Sequence, residues 1–379
     1  MINLVTFNNF RGLDELNLPL SQITMLTGVN CIGKTSVLEG LYCLFSETRL
    51  DVSPLSRYNR TIGFIINQGV NAPMGFAARH GYNYKLFWNE CPTYEQNECS
   101  VKAKADDNLI WSWTYKKASF ADIDKLMTIN SPVPVDSSTE FALWNWSCGG
   151  TRINKTNHQK EIINNKKIIR AQILAPDGGL YLLPPTAQTS SICRYLDFSS
   201  IRSMPQKLSF SMSRLLTEAL QIINPRVTDV RLTDISSGLS VVLDDKYSVT
   251  LGTIGNGAVT WASALIAIFE VIESFNDKTP SDVPIIILID EIGAGIHYSV
   301  MLAIWEYLKN FAQKYPNLQF VTTSHSDDCV HAFCEAFSDE NSASIVRLHR
   351  TKIENKIIPT PYLKEHFKHI ASGDWEVRG

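Results

Sequence analysis

The chain combines two patterns of apolar residues, and each predicts one kind of element. A continuous apolar run at residues 283–289 is typical of a strand buried on both faces of a parallel sheet, and residues 318–323 predict a second such strand. Helical spacing of apolar residues in 36–45 and 208–223, and an apolar segment at 258–275, predict helices. The pattern predicts an α/β fold with a mixed sheet flanked by helices.

From about residue 50 to residue 185 the pattern changes to short aromatic and β-branched runs. Residues 63–66, 84–88, 108–115 and 141–146 predict strands, and residues 119–127 predict one short helix. We interpret the alternating Trp111, Trp113 and Tyr115 as sheet core in preference to a base-stacking platform. The predicted domains are therefore a head formed by 1–48 and 186–379 and a strand-rich insertion at 49–185.

One stretch within this insertion is locally basic, although the whole chain is not. The formal net charge of −3 gives no general electrostatic reason to bind nucleic acid. The stretch fits either a solvated hairpin surface or a contact with nucleic acid or protein, and it contains Arg152, Lys155, Lys160, Lys166, Lys167 and Arg170.

Composition indicates the compartment. We find no apolar run that we expect to span a bilayer, and the chain begins with strand-forming residues and not with a basic, cleavable leader. Its eight cysteines include no C-x-x-C pair at zinc spacing. We therefore expect reduced thiols, a cytoplasmic location and no membrane partner.

The strongest motif is a phosphate-binding loop at residues 28–36, which fits G-x-x-x-x-G-K-[ST]. Such a loop points backbone N–H groups at phosphate oxygens, and the helix that follows adds its positive end. The lysine places a positive charge on the β- and γ-phosphates, and the first hydroxyl after it is placed to ligate Mg²⁺. The candidate ATP ligands are Asn30, Gly33, Lys34, Thr35 and Ser36, with Thr35 also a metal ligand.

A second motif follows the apolar run at 283–289. Asp290 and Glu291 are two carboxylates directly after a buried strand, where they are costly unless they serve a site. We assign Asp290 to Mg²⁺ and Glu291 to the attacking water. His325 follows the next buried strand, and because ligands bind at the carboxyl ends of parallel strands, it is a candidate partner of the γ-phosphate or the water.

Two further features leave alternatives open. Arg11 lies in a predicted turn, where it is either a solvated turn residue or a second cation on the phosphates. The glycine-rich residues 252–257 open an apolar helix, where they form either an anion site or a simple turn and cap.

Taken together, these motifs resemble the ABC-type ATPase heads of the SMC, RecF and OLD families. The resemblance rests on residues 9–12, 28–36, 290–291 and 323–326. The run from Glu291 and the Glu-Val-Arg ending resemble more narrowly the compact OLD-like ATPases of the AAA_15 and AAA_21 groups. We expect the resemblance to cover residues 1–48 and 205–379 but not the insertion.

The resemblance implies ATP and Mg²⁺ as ligands and composite ATP sites between two copies of the chain. It maps the signature motif onto Gly255, Asn256 and Gly257, and the switch histidine onto His325. Asp290 becomes the metal acid and Glu291 the catalytic glutamate. Gln68 is a poor match for the glutamine that usually contacts Mg²⁺.

The same resemblance implies the biological setting. We expect no TOPRIM domain, since only about 50 residues follow His325, so an associated TOPRIM or HNH nuclease, or a toxin, is expected to be a separate protein. Stand-alone ATPases of anti-phage defence systems, such as the PARIS ATPase, provide the analogy. A DNA-repair or chromosome-maintenance ATPase is the alternative. A nuclease in its own right would need a second metal cluster, which the sequence does not supply.

Overall fold

The computed structural model describes residues 1–45, 98–106, 108–118, 140–153, 160–174, 180–182, 192–198, 208–234, 238–276, 284–352, 356–373 and 377. The strands predicted at 63–66 and 84–88, the helix predicted at 119–127 and Gln68 lie outside these residues.

The structure is α/β, with strands and helices close to those the pattern predicts. The strands are β1 (Ile2–Asn8), β2 (Leu16–Pro19), β3 (Ile23–Thr27), β4 (Glu98–Ala105), β5 (Ile110–Ala118), β6 (Glu140–Ile153), β7 (Lys160–Leu174), β8 (Leu180–Leu182), β9 (Ile192–Asp197), β10 (Val227–Asp234), β11 (Gly238–Leu243), β12 (Tyr247–Thr250), β13 (Ile285–Asp290), β14 (Leu318–Thr323), β15 (Ala343–Arg350) and β16 (Ile357–Tyr362). The helices are α1 (Lys34–Phe45), α2 (Phe210–Gln221), α3 (Leu251–Ile254), α4 (Asn256–Asn276), α5 (Met301–Lys314), α6 (Asp327–Ala336) and α7 (Lys364–Ala371), with a 3₁₀ turn at Tyr298–Val300.

A six-stranded sheet in the order β16-β15-β3-β14-β13-β9 forms the centre of the fold. Its neighbouring strands run parallel except for β16, which pairs antiparallel with β15, so the predicted mixed sheet is confirmed. Every residue of β3, β13 and β14 is buried. This agrees with the prediction that residues 283–289 and 318–323 form strands covered on both faces, except that the first strand begins at Ile285 and residue 283 lies outside the described part of the chain.

The two faces of this sheet contribute to two hydrophobic clusters. Along β13, Ile285, Ile287 and Ile289 join the cluster that contains the apolar residues of α4 and α5, whereas Ile286 and Leu288 join the cluster that contains α1. Such alternation follows from the two-residue period of a strand. The phosphate-loop helix α1 therefore lies on one face of the sheet, and α4 and α5 lie on the other.

A second, antiparallel sheet has the order β2-β1-β4-β5-β6-β7-β8. Strands of the predicted insertion thus extend the sheet that β1 and β2 begin, with residues 2–8 of β1 paired to residues 100–105 of β4. The predicted domain boundaries, near residues 48 and 185, fall outside the described residues and stay a prediction.

The aromatic face of β5 is core, as predicted. Trp111 and Trp113 are each 1% exposed. Trp113 meets the edge of Phe10 in the turn after β1, and Trp111 meets Phe45 at the end of α1. These contacts explain the aromatic alternation as packing between the second sheet and α1.

The basic stretch lies on a hairpin, as one of the two interpretations expects. Strands β6 and β7 pair antiparallel from residues 140–153 to residues 160–174. Lys155 and the exposure of the other basic side chains lie outside what the structure describes, so contact with nucleic acid or protein stays a prediction.

Strand β9 is not among the strands that the sequence predicts. It forms the edge of the six-stranded sheet and runs parallel to β13. Its Arg194 is buried and lies 3.6 Å from a carboxylate oxygen of Glu270 on α4. A buried ion pair of this kind allows a charged residue to lie on the covered face of a strand.

The expectation that no apolar run is long enough to cross a membrane needs one correction. The window Asn256–Glu273 of α4 passes that test by length and composition, and 72% of it is buried inside the protein. That burial is typical of a core helix. The seven cysteines that the structure describes are free thiols, as expected, and Cys31 alone among them is exposed.

Candidate functional site

The phosphate-binding loop connects β3 to α1, which confirms the predicted strand–loop–helix unit. Three of its residues, Gly28, Cys31 and Gly33, have φ values of 132°, 63° and 99°. A Cβ on Gly28 would lie 2.4 Å from the carbonyl oxygen of Leu348 in β15. Glycine is therefore required at this position both by the backbone conformation and by the neighbouring strand.

We expect Gly28→Ala to displace the loop and lower kcat/KM for ATP hydrolysis by about 10²-fold, because small misplacements of binding groups have effects of that size. The conformational strain adds about 1–3 kcal/mol of destabilisation. Steady-state hydrolysis and thermal unfolding measure the two effects. Gly252→Ala is the matched control, since a Cβ there meets nothing within 4 Å. Normal hydrolysis by Gly28→Ala would contradict the inferred loop geometry.

Lys34, the first residue of α1, turns back onto its own loop. Its Nζ donates to the carbonyl oxygens of Gly28 at 2.6 Å and Val29 at 3.1 Å. Burial lowers the pKa of Lys34, and the nearby carboxylates of Asp290 and Glu291 partly oppose that shift. A cation is thus held beside two acids at the mouth of the loop.

Asp290 ends β13 and is 1% exposed. Its Oδ1 accepts a hydrogen bond from Thr323 Oγ1 at 2.6 Å, and its Oδ2 accepts one from Tyr195 Oη at 2.8 Å. Thr35 Oγ1 lies 3.2 Å from Oδ2 and 3.4 Å from Oδ1. The Thr35 hydroxyl and the Asp290 carboxylate are both oxygen ligands of the kind Mg²⁺ prefers, so these two residues fit a shared metal.

Glu291 and His325 follow the carboxyl ends of the adjacent strands β13 and β14. Glu291 Oε1 and His325 Nδ1 are 3.9 Å apart, and the side chains are 49% and 62% exposed. Glu291 has a φ of 56°, and its N–H donates to Thr323 Oγ1 at 2.8 Å. The structure therefore brings the two predicted catalytic residues together on an open side of the site.

Arg11 has a φ of 48° and forms an ion pair with Glu39 of α1. Its side chain is only 15% exposed, so the solvated-turn alternative is wrong. A contact between Arg11 and phosphate stays a prediction. Of the remaining loop candidates, Asn30 is exposed and Ser36 is partly buried in the first turn of α1.

The glycine-rich segment forms a one-turn helix, α3, followed by Gly255 with a φ of 125° and then α4. A Cβ on Gly257 would lie 2.9 Å from the Gly295 carbonyl oxygen, so the start of α4 packs on the loop that follows Glu291. Asn256 is exposed. This segment opens a long helix, as predicted, and its signature role stays a prediction.

Sequence reasoning gave no role to two residues of the site. Thr323 was part of the recognised motif but had no assigned contact, and Tyr195 lies on the strand that the pattern missed. A tyrosine two residues before the end of a strand carries no recognisable signal by itself.

Comparison with known families supplies the deciding observation. Residues 1–171 match the family model AAA_15, described as an AAA ATPase domain. The chain is a P-loop ATPase. The match confirms the narrower resemblance but corrects its extent, because it includes 49–171 of the predicted insertion and does not reach Asp290 of the ATPase.

Other comparisons add little to the description of this ATPase. No curated protein matches the chain. Two solved structures of the recombination mediator protein RecF, RecF-ATPrS and RecF-ATP in the RecFOR pathway, align with it. The first has a TM-score of 0.39 and 9% identity, and covers 95% of this chain and 98% of that chain. The second has a TM-score of 0.37 and 10% identity, and covers 95% and 97%.

Proposed function

We propose that this ATPase is a switch that assembles through composite ATP sites and gates a separate effector, a nuclease or toxin, in anti-phage defence. One observation carries the proposal. Lys34, Thr35 and Asp290 meet in a mostly enclosed cluster, while Glu291 and His325 lie together on its open side. A second copy of the chain would close the exposed side of this candidate hydrolytic site.

In the proposed mechanism, Lys34 leaves the carbonyl oxygens of Gly28 and Val29 and donates to the β- and γ-phosphates. Thr35 and Asp290 would hold Mg²⁺, which would supply positive charge to offset that of the phosphates. Glu291 accepts a proton from the attacking water.

A second copy of the chain would cover the open side of the site and would place fixed dipoles there in place of bulk water. Glu291 and His325 are 49% and 62% exposed, and hydrolysis benefits when bulk water is excluded and fixed dipoles face the phosphates. The start of α4 at Gly255–Gly257 offers a positive helix end and an exposed Asn256. We propose that this segment of a second copy covers the γ-phosphate.

The effector and the setting rest on analogy with stand-alone ATPases of defence systems. Among the described residues, no group of three or more His, Cys, Asp or Glu side chains could hold a further metal ion. This favours a separate nuclease over a second active site in the described part of the chain. We propose a cytoplasmic complex of this kind.

The test measures oligomer mass by light scattering, with and without ATP and Mg²⁺, for wild type and Glu291→Gln co-expressed with the neighbouring gene product. We expect ATP to produce a larger assembly that retains the neighbour, and Glu291→Gln to hold that assembly longer because hydrolysis no longer releases it. A chain that keeps one mass in every condition would overturn the composite-site proposal.

A second candidate is a repair or chromosome ATPase that acts directly on DNA. The basic stretch on the β6–β7 hairpin favours it. Duplex binding that ATP stimulates and salt weakens would support this function, because phosphate contacts release counterions. Absence of binding at low salt would remove it.

A further inference from the structure

We propose that Tyr195 and Thr323 are positioning residues. Each donates a hydrogen bond to one oxygen of the Asp290 carboxylate, and together they fix its orientation and thereby set the Mg²⁺ affinity of the site. This inference rests on the proposed role of Asp290 as the metal acid. Tyr195 comes from β9 and Thr323 from β14, the two strands that flank β13 in the sheet. Each residue donates to a different oxygen of the same carboxylate, at 2.8 Å and 2.6 Å.

This hydrogen-bonded arrangement is rigid because all three side chains are buried. Asp290 and Thr323 are each 1% exposed, and Tyr195 is 6% exposed. The Tyr195 ring packs edge-on against Tyr42 of α1, with ring centroids 6.1 Å apart and planes at 71°. Since α1 begins in the phosphate-binding loop, the ring that orients Asp290 is itself fixed by the helix that carries Thr35.

The orientation matters because a carboxylate has about four lone-pair sites and a metal needs one that is free and correctly aimed. Tyr195 and Thr323 each occupy one lone-pair site of the Asp290 carboxylate. Thr35 Oγ1 lies 3.2 Å from Oδ2, so a metal held by both Thr35 and Asp290 would need a lone pair that faces Thr35. Removing a donor has two opposing effects. It leaves more charge on the carboxylate, which favours the metal, but it frees the group to rotate.

We expect loss of orientation to dominate. Changes in residues that orient metal ligands typically cost about 10–100-fold in metal affinity. A buried carboxylate deprived of a donor also carries an unmet desolvation cost, which rotation toward another donor would relieve. Both factors weaken the metal site.

Thr323 also contacts the backbone of Glu291. Its Oγ1 accepts the N–H of Glu291 at 2.8 Å, and Glu291 has a φ of 56°. Such a backbone conformation persists only where neighbours fix it. Thr323 therefore links the metal acid to the water-activating residue.

The experiment measures Mn²⁺ binding to the ADP-loaded full chain by electron paramagnetic resonance, so the readout needs no turnover. Tyr195→Phe, which keeps the buried ring, and Thr323→Val are expected to weaken Mn²⁺ binding by about tenfold. Thr323→Ser restores the hydroxyl and is expected to restore binding. Tyr307→Phe and Thr217→Val remove hydroxyl hydrogen bonds to the backbone carbonyls of Leu215 and Ser213, on α2, and are expected to leave binding unchanged.

Hydrolysis at saturating Mg²⁺ separates the two residues. Tyr195→Phe should regain a kcat within about twofold of wild type, while Thr323→Val should stay at least about tenfold lower, because its effect on Glu291 is not relieved by metal. A purely structural role would lower both equally.

Asp290→Asn separates failure of this inference from failure of the proposed function. If Asp290→Asn weakens Mn²⁺ binding but Tyr195→Phe and Thr323→Val match wild type, the positioning role of Tyr195 and Thr323 is overturned and the metal role of Asp290 stands. If Asp290→Asn also binds Mn²⁺ as wild type does, the metal role fails, and this inference fails with it.

Discussion

Glu291→Gln is expected to abolish ATP turnover and leave ATP binding nearly intact. Glutamine has the same shape but does not accept a proton from water, and a positioned general base contributes about 10²–10⁴-fold to a rate. The hydrogen bond to Thr323 Oγ1 uses only the backbone N–H of residue 291, so it survives the substitution. The left-handed conformation at this position should survive for the same reason, which isolates the chemical effect.

Phosphate release under saturating ATP measures the loss, and equilibrium binding of ATP measures what remains. Glu306→Gln is the matched control, because Glu306 is an exposed glutamate on α5. Hydrolysis by Glu291→Gln within about tenfold of wild type would show that another group activates the water. His325, whose Nδ1 lies 3.9 Å from Glu291 Oε1, would then be the first residue to test.

The residues that could be predicted from sequence are those whose chemistry is local. The phosphate-binding loop needs its glycines at fixed spacing, as the contact between Gly28 and Leu348 illustrates. Asp290 could be assigned to the site because a continuous apolar run predicts a buried strand. A carboxylate at the end of such a strand costs free energy unless it serves a site. Trp111 and Trp113 could be placed in the core because the period of two is preserved through β5.

The features that could not be predicted depend on pairing between distant segments. Strand β9 contains a buried arginine, Arg194, whose ion-pair partner Glu270 lies 76 positions further along the chain. The sequence left Arg11 open between a solvated turn residue and a cation on the phosphates, because nothing in its own segment indicates Glu39 as a partner. The pairing of β1 with β4 likewise joins segments separated by roughly ninety residues, which local pattern does not encode.

Lys34→Ala is expected to produce the largest loss of ATP affinity of any single substitution in the loop. Its ammonium is held beside the loop by Gly28 and Val29, so it needs only a short movement to donate to phosphate. A hydrogen bond between charged groups contributes about 1.5–3 kcal/mol, which corresponds to roughly 10–100-fold in affinity. Truncation also removes the two contacts that order the free loop, which adds to the loss.

The pH dependence gives this prediction a second, independent readout. Burial lowers the pKa of Lys34 below its ordinary value of 10.5. Only the protonated ammonium binds phosphate, so wild-type affinity should be full below the lowered pKa and fall as the pH rises through it. Lys34→Ala lacks the titrating group and should lose this alkaline decline.

Equilibrium titration with ATP across the alkaline range tests both statements on the same samples. Lys246→Ala, an exposed lysine in the turn between β11 and β12, is the matched control and should bind ATP with the wild-type pH profile. If Lys34→Ala bound ATP as tightly as wild type, the phosphates would have to be held by the loop backbone and the end of α1 alone. If it bound weakly but kept the alkaline decline, a titrating group other than Lys34 would be the cause of that decline.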